Sequence, residues 1–198
     1  MRYGLEQEFF VVSGSCPDLG PFGPLPQSLT PDECGFLAEA RGQPCFSIRE
    51  AVFSLKADVY RLQGEAKKGN LILQDDPCLS VDRKVLLSCR RAFAKPLLAY
   101  QNLYGYSEHK NRNKKTAGIH ISFSVERTIR DRAGKEIATV KEMFDWAQIF
   151  RKLDAAFAAE IKAAQRHPGF YELKQDGRIE YRSLPTNCDL MKIIEVLS

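Results

Sequence analysis

The 198 residues predict an α+β fold: a twisted, mainly antiparallel sheet with helices packed on its convex face. Three observations predict it. Five short segments alternate polar and apolar residues with the period of two that places one set on each face of a strand. The polar positions of those segments carry acids, cations or a histidine rather than a random mixture. Two longer segments instead repeat apolar residues at helical spacing, each opened by a Ser/Thr-x-x-Glu pattern. The length, with 44% hydrophobic and 27% charged residues, suits one globular domain over residues 1–198.

The first predicted strand covers Arg2 to Val12. Leu5, Gln7 and Phe9 alternate there with Glu6, Glu8 and Phe10. Two carboxylates on one face repel unless water or a cation neutralises them. Residues 13–31, with Pro17, Pro21, Pro24, Pro26 and Pro31, read as an irregular loop long enough for a lid or a simple connector. Gly35 to Arg41 reads as the second strand, with Leu37, Glu39 and Arg41 on one side and Phe36, Ala38 and Ala40 on the other. Ser47-Ile-Arg-Glu50 opens a helix to about Gly64, whose Ala51, Val52, Leu55, Val59 and Leu62 form a core stripe. A short strand is expected at Leu71–Gln74 and a second helix from Asp82 to Ala94. Residues 108–115, with four Lys/Arg among the last six, read as a basic loop that either covers phosphates or is merely solvated.

Gly118 to Glu126 has the clearest alternation. Ile119, Ile121, Phe123 and Val125 oppose His120, Ser122, Ser124 and Glu126, so the histidine belongs to the polar face. Arg132-Ala-Gly-Lys135 suits a turn into a short strand ending near Val140. Thr139-Val-Lys-Glu142 is read as the start of the main helix, running to Arg166 through Phe144, Trp146, Phe150, Leu153, Phe157 and Ile161, and stopping at His167-Pro-Gly169. Tyr171–Lys174 pairs Glu172 with Lys174 on one face. Gly177–Pro185 does the same with Glu180 and Arg182, opposite Ile179 and Tyr181. A terminal helix is expected over Asp189–Leu197.

Composition narrows the chemistry. A net charge of +4 is a mild bias that suits an anionic small molecule as well as nucleic acid. Six cysteines form no CxxC pair, and Arg2, Glu6 and Glu8 interrupt any leader-like run, so reduced thiols in a cytoplasm are expected. No stretch approaches the apolar length of a membrane span. GxxxxGK[ST], HExxH and GxSxG are all missing from the sequence, which argues against a P-loop, a zincin and a nucleophile elbow. Acids clustered with a histidine suit Mg²⁺ or Mn²⁺, and fixed cations beside them suit a nucleotide's phosphates.

These segments also carry a family resemblance. Gly4-Leu-Glu-Gln-Glu-Phe-Phe10 resembles the first metal strand of glutamine synthetases, and Gly118-Ile-His-Ile-Ser-Phe-Ser124 resembles their histidine strand. Gly177-Arg-Ile-Glu-Tyr-Arg182 resembles the Glu-x-Arg strand shared with the glutamate–cysteine ligase branch. With Glu39-Ala-Arg41 and Tyr171-Glu-Leu-Lys174, the short chain is most similar to the small, often phage-encoded COOH–NH2 ligases (amidoligases) of that superfamily.

The resemblance implies a glutamine-synthetase-like sheet and ATP-dependent amide formation through an acyl phosphate. It implies that Glu6, His120 and Glu180 hold one Mg²⁺ or Mn²⁺ and that Glu8 serves another; Glu39 joins Glu8 by geometry. Arg182 would bind phosphate or the substrate carboxylate, and Arg41 and Lys174 would neutralise developing phosphoryl charge, with Ser122 beside them among the phosphate-binding residues. The large synthetases carry a second histidine where Ser122 stands, and no stretch of these 198 residues is expected to match their separate N-terminal domain.

The partners expected are a carboxylate and an amine, the amine being an amino acid, a polyamine or an amino group on a protein or nucleic acid. No membrane partner is expected. Self-association into a homo-oligomer and residence in a host cytoplasm, if the gene is a phage's, fit the same reading. Two other classes share the features: a catalytically silent nucleotide- or nucleic-acid-binding module, and a guanidino-type phosphotransferase.

Overall fold

The computed structural model describes residues 1–13, 37–80, 101–106, 114–124, 126–141, 144–174 and 177–198. The expectations for residues 14–36, for the helix at 82–94 and for positions 108–113 lie outside them. The described residues form an α+β structure whose principal sheet is open and antiparallel at every pairing.

That sheet is built on β1 (Arg2–Ser13). On one side β1 pairs with β2 (Leu37–Arg41); on the other it pairs with β7 (Gly118–Ser124). β7 pairs with β11 (Ile179–Pro185), β11 with β10 (Phe170–Leu173), and β10 with the two-residue β5 (Gln101–Asn102). β3 (Leu71–Gln74) pairs with the far end of β1. Two small ladders stand apart: β4 (Cys78–Ser80) with β6 (Lys114–Thr116), and the hairpin of β8 (Glu126–Arg130) with β9 (Glu136–Lys141). Lys114 and Lys115, expected in a loop, are therefore strand residues, and Glu126 belongs to β8 rather than to the histidine strand.

Alternation decides which face is buried. Leu5, Phe9, Val11, Ala38, Ala40, Ile119, Ile121, Phe123 and Tyr181 join one apolar layer. Against it lie α1 (Ile48–Lys68), α2 (Trp146–Ala156), α3 (Ala158–Ala163) and α4 (Leu190–Leu197), contributing Val52, Leu55, Leu62, Phe150, Leu153, Ile161, Ile193 and Ile194, with Phe157 at the junction of α2 and α3. Each core side chain of this size contributes about 1.5–3 kcal/mol by leaving water. Phe150 is the aromatic hub, with ring centroids 4.9 Å from Tyr181 and 5.3 Å from Trp146.

α1 continues four residues past Gly64, because Glu65, Ala66 and the two lysines after them favour helix and Ala66 is buried. Its end is set by Gly69 and by Asn70, which takes the left-handed φ of +53°. The main helix is a correction. Thr139 does not cap a helix but lies inside β9, since the β-branched Thr139 and Val140 pair across the hairpin with Thr128 and Arg127. The cap is Asp145, whose carboxylate accepts from the Gln148 backbone N–H, and the helix is interrupted at Phe157 and ends at Ala163, short of Arg166.

β11 carries one extra residue against β7. Tyr181 faces Ile121 and Leu184 faces Ile119, so three steps along β11 match two along β7, which is a bulge at Arg182–Ser183. Both bulge carbonyls accept hydrogen bonds from Arg166: Nε donates to Ser183 at 3.2 Å and Nη2 donates to Arg182. The Arg166 guanidinium lies where a side chain on Gly118 would project. A Cβ there would come within 2.8 and 2.9 Å of its nitrogens and 2.9 Å of the Leu184 carbonyl oxygen. Gly118→Ala is therefore expected to destabilise the fold by about 1–3 kcal/mol, the usual cost of overpacking. A urea titration checks it, and an unchanged midpoint would mean that the bulge yields freely.

Candidate functional site

Three neighbouring strands, β1, β7 and β11, bring the sequence-predicted charged residues to one face. Glu6 of β1 stands directly opposite His120 of β7, and Glu180 of β11 opposite Ser122 two residues on. One ligand atom from each of Glu6, His120 and Glu180 lies within 4.8 Å of the others. The His120 ring is buried, and its Nδ1 has no hydrogen-bond partner among the described residues. Nδ1 lies 3.9 Å from a Glu6 oxygen and 3.8 Å from a Glu180 oxygen. These gaps are too wide for hydrogen bonds. They fall between the spacings of adjacent (about 3.0 Å) and opposite (about 4.2 Å) ligands on an octahedral metal with bonds of about 2.1 Å, so the three groups are close enough to converge on a shared cation by small side-chain rotations. A buried ring nitrogen left without a partner, aimed between two carboxylates, fits a divalent cation.

Glu8 and Glu39 take other positions. Glu8 Oε2 accepts a 2.7 Å hydrogen bond from the Gly118 backbone N–H and lies 3.6 Å from His120 Nε2, on the opposite edge of the ring from Glu6 and Glu180. Glu39, paired across the ladder with Glu8, turns toward Arg41 and Glu6. Among the described residues, Glu8 and Glu39 complete no second three-ligand group.

The cations form a second layer. Arg182 contacts Glu180 at close range, Glu172 at 3.3 Å and Glu8 at 4.0 Å. Lys174 bridges Glu172 at 2.8 Å and Glu180 at 3.2 Å. Ser122 donates to Glu180 at 3.2 Å from a buried position, so in this structure it orients a carboxylate. Arg41 is exposed at the rim and meets Glu39 and, at 3.8 Å, Glu6. Glu172 was legible only as half of a Glu–Lys pair; its register opposite Glu180 makes it a member of the same face. Arg166 is the cation that sequence reasoning missed, because nothing about a basic residue after a helix marks it as reaching a distant strand.

The electrostatics sort the acids. Burial pushes the Glu6 carboxyl up, but His120, a hydrogen bond with Glu39 and the Arg41 charge together hold it well below the usual range. Glu180 is likewise raised by burial, and His120, Arg182 and Lys174 bring it below the usual range against the opposing Glu6 charge. Glu39 goes the other way: burial, then the hydrogen bond and charge of Glu6, push it up to about 8 despite Arg41. At neutral pH the two acids beside His120 Nδ1 are ionised, and Glu39 holds a proton.

This has a measurable sign. Because Glu39 binds its proton more tightly when folded, its stabilising contribution is complete below 4.5 and is lost as pH rises through about 8. Glu6 and Glu180 act in the opposite sense and only below 4.5. The thermal midpoint of metal-free protein is expected to fall between those limits, and Glu39→Gln to flatten the fall. Identical slopes for the two proteins would refute the assignment.

Cys45, Cys78 and Cys188 are free thiols, and no helix among the described residues is long and apolar enough to cross a membrane. No family model and no curated protein matches the chain.

Proposed function

We propose that the protein is an ATP-dependent carboxylate–amine ligase of the amidoligase type, using Mg²⁺ or Mn²⁺. The observation that carries this reading is the unpartnered His120 Nδ1 between Glu6 and Glu180, with the Arg182 guanidinium against Glu180. It is supported by the resemblance of these three strands to the metal and Glu-x-Arg strands of that superfamily.

Glu6, His120 and Glu180 would hold the cation. The cation, when bound, supplies charge neutralisation for a nucleotide's phosphates. Arg182 binds phosphate oxygens next to it, and its planar fork can grip two at once, a geometry that Lys lacks. Lys174 and Arg41 flank the same face and neutralise negative charge that develops as a phosphoryl group moves to the substrate carboxylate. In that step a carboxylate oxygen bonds to the γ-phosphorus and ADP leaves. An amine nitrogen then attacks the acyl carbon, inorganic phosphate departs, and the nitrogen's proton passes to a base. Ser122 and Glu172 keep Glu180 and Arg182 in place from either side.

The test is product analysis by mass spectrometry after incubation with Mg-ATP and a cell extract, followed by phosphate release from the identified pair. Release that requires both carboxylate and amine is expected. Phosphoryl transfer to a guanidino compound with no amide product would overturn the ligase reading. Arg182→Lys is expected to lower turnover about tenfold or more, a loss of at least about 1.4 kcal/mol of transition-state stabilisation, with an unchanged thermal melt. Equal rates would remove Arg182 from the reaction.

A further inference from the structure

A second concave surface lies away from the carboxylate cluster, where α2, α3 and the segment leading to β10 meet. It is a cleft of ≈ 760 Å³, within the range of small-molecule sites. Its apolar wall comes from Ala155, Ala158, Ile161 and Pro168, with Tyr104 beside them. Among the described residues its charged lining is one-sided, with Arg151, Lys162 and Arg166 against a single acid, Asp154. That acid is already engaged: its oxygens accept from the hydroxyls of Tyr104 at 2.9 Å and Tyr181 at 2.6 Å, and from the Gly169 backbone N–H at 3.0 Å.

Arg166 distinguishes this cleft from a merely basic surface. Its guanidinium is packed against Gly118 and held by the Arg182 and Ser183 carbonyls, and burial lowers its pKa, with the Glu8 charge opposing. Yet it makes no ion pair with a carboxylate among the described residues, and its Nη1 donates no hydrogen bond there. A half-buried guanidinium with no carboxylate in ion-pair range among the described residues keeps part of its desolvation cost. Here it is fixed in position by two backbone acceptors, with donors left over and an open cleft at its side. Fixed donors, two further cations and an apolar wall describe a receptor for an oxyanion with a greasy body.

We propose that this cleft binds a small molecule carrying a carboxylate or phosphate group, the oxyanion at Arg166, Lys162 and Arg151 and the apolar part along Ile161, Ala155 and Tyr104. The site is independent of the ligase reading, since none of its residues belongs to the Glu6–His120–Glu180 cluster. It is nonetheless joined to that face mechanically, because the same guanidinium secures the bulge that carries Arg182.

The probe is phenyl phosphate, with benzoate as the carboxylate counterpart, titrated into the full chain in EDTA and followed by calorimetry and amide NMR. Without divalent metal the carboxylate cluster repels both anions, so binding there is suppressed. Expected are submillimolar to millimolar dissociation constants for at least one probe, with shifts at Ala155, Ile161 and Gly169. The exposed substitution Lys162→Glu is expected to weaken binding about tenfold or more without altering the thermal melt, and Arg166→Met to abolish it where the variant folds. Failure of both probes to bind at about 10 mM, shifts confined to the strands of the carboxylate cluster, or undiminished affinity in Lys162→Glu would each overturn the proposal. Loss of ligase activity plays no part in these readouts, so either idea can fail without the other.

Discussion

Substituting His120 by Ala is expected to lower Mn²⁺ affinity by at least about a hundredfold. Loss of a mere supporting group costs a metal site about 10- to 100-fold, and the proposed function makes His120 a direct ligand. The ring is buried between three carboxyls, with Glu6 and Glu180 near Nδ1 and Glu8 near Nε2. Removing it takes away the only nitrogen of the cluster and brings like charges face to face across a cavity. The metal-free variant is therefore expected to melt lower at neutral pH and to recover part of the loss in acid, where Glu6 and Glu180, no longer held down by His120, take up protons more readily. Calorimetric titration of Mn²⁺ into both proteins decides the matter. Equal affinities would show that His120 is not a ligand of the ion.

The largest effect on stability is expected at Asp154, which no charged-face argument touches. Its buried carboxylate collects two phenolic hydroxyls and one backbone N–H, from Tyr104, Tyr181 and Gly169. Tyr181 is fully enclosed, and burial with the adjoining Asp154 charge raises its pKa well above the ordinary value, so it remains a donor. Asp154→Ala leaves that hydroxyl and the Gly169 N–H without an acceptor. Each buried orphan costs about 1–3 kcal/mol, so a total of about 3–5 kcal/mol is expected. For a protein of this size the thermal midpoint should drop by roughly 10 °C or more. Asp154→Asn, which keeps an acceptor oxygen, should lose about half as much. A drop under about 1 kcal/mol for the alanine variant would mean that water replaces the carboxylate without penalty.

The sheet was legible where two faces differ sharply. Gly118–Ser124 and Ile179–Pro185 alternate because one side meets the core and the other meets charge, and the same contrast assigned Glu6, His120, Glu180 and Arg182 to one surface. The short strands β4, β5 and β6 have two or three residues each, too few to show a period. The start of the main helix was misplaced because Thr-x-x-Glu at 139–142 competes with Asp-x-x-Gln at 145–148. The second motif is the one that caps, and the β-branched residues before it were the available warning. Glu8 and Glu39 were grouped by their strand phase, which fixes a face but not a rotamer. The backbone N–H of Gly118 and the guanidinium of Arg41 decide where those carboxyls turn. Arg166 and Asp154 act across the fold through backbone groups, and no pattern of side-chain types encodes that.

The order of strands across the sheet has a consequence for when a cation could bind. Glu6 and Glu180 are 174 positions apart, and β11 enters the sheet between β7 and β10 rather than at an edge. Gln7 and Thr186 join the same two distant stretches by a 2.8 Å hydrogen bond. Contacts of such sequence separation form late, since the entropy of closing the long loop must be met first. A β10–β11 hairpin can form early by itself, yet it holds only Glu172, Lys174, Glu180 and Arg182. A cation held by Glu6, His120 and Glu180, as proposed, would not template folding; it would only reward a sheet already assembled, adding stability through mass action on the native state alone. Refolding rates should accordingly be indifferent to Mn²⁺, while unfolding slows as its concentration rises.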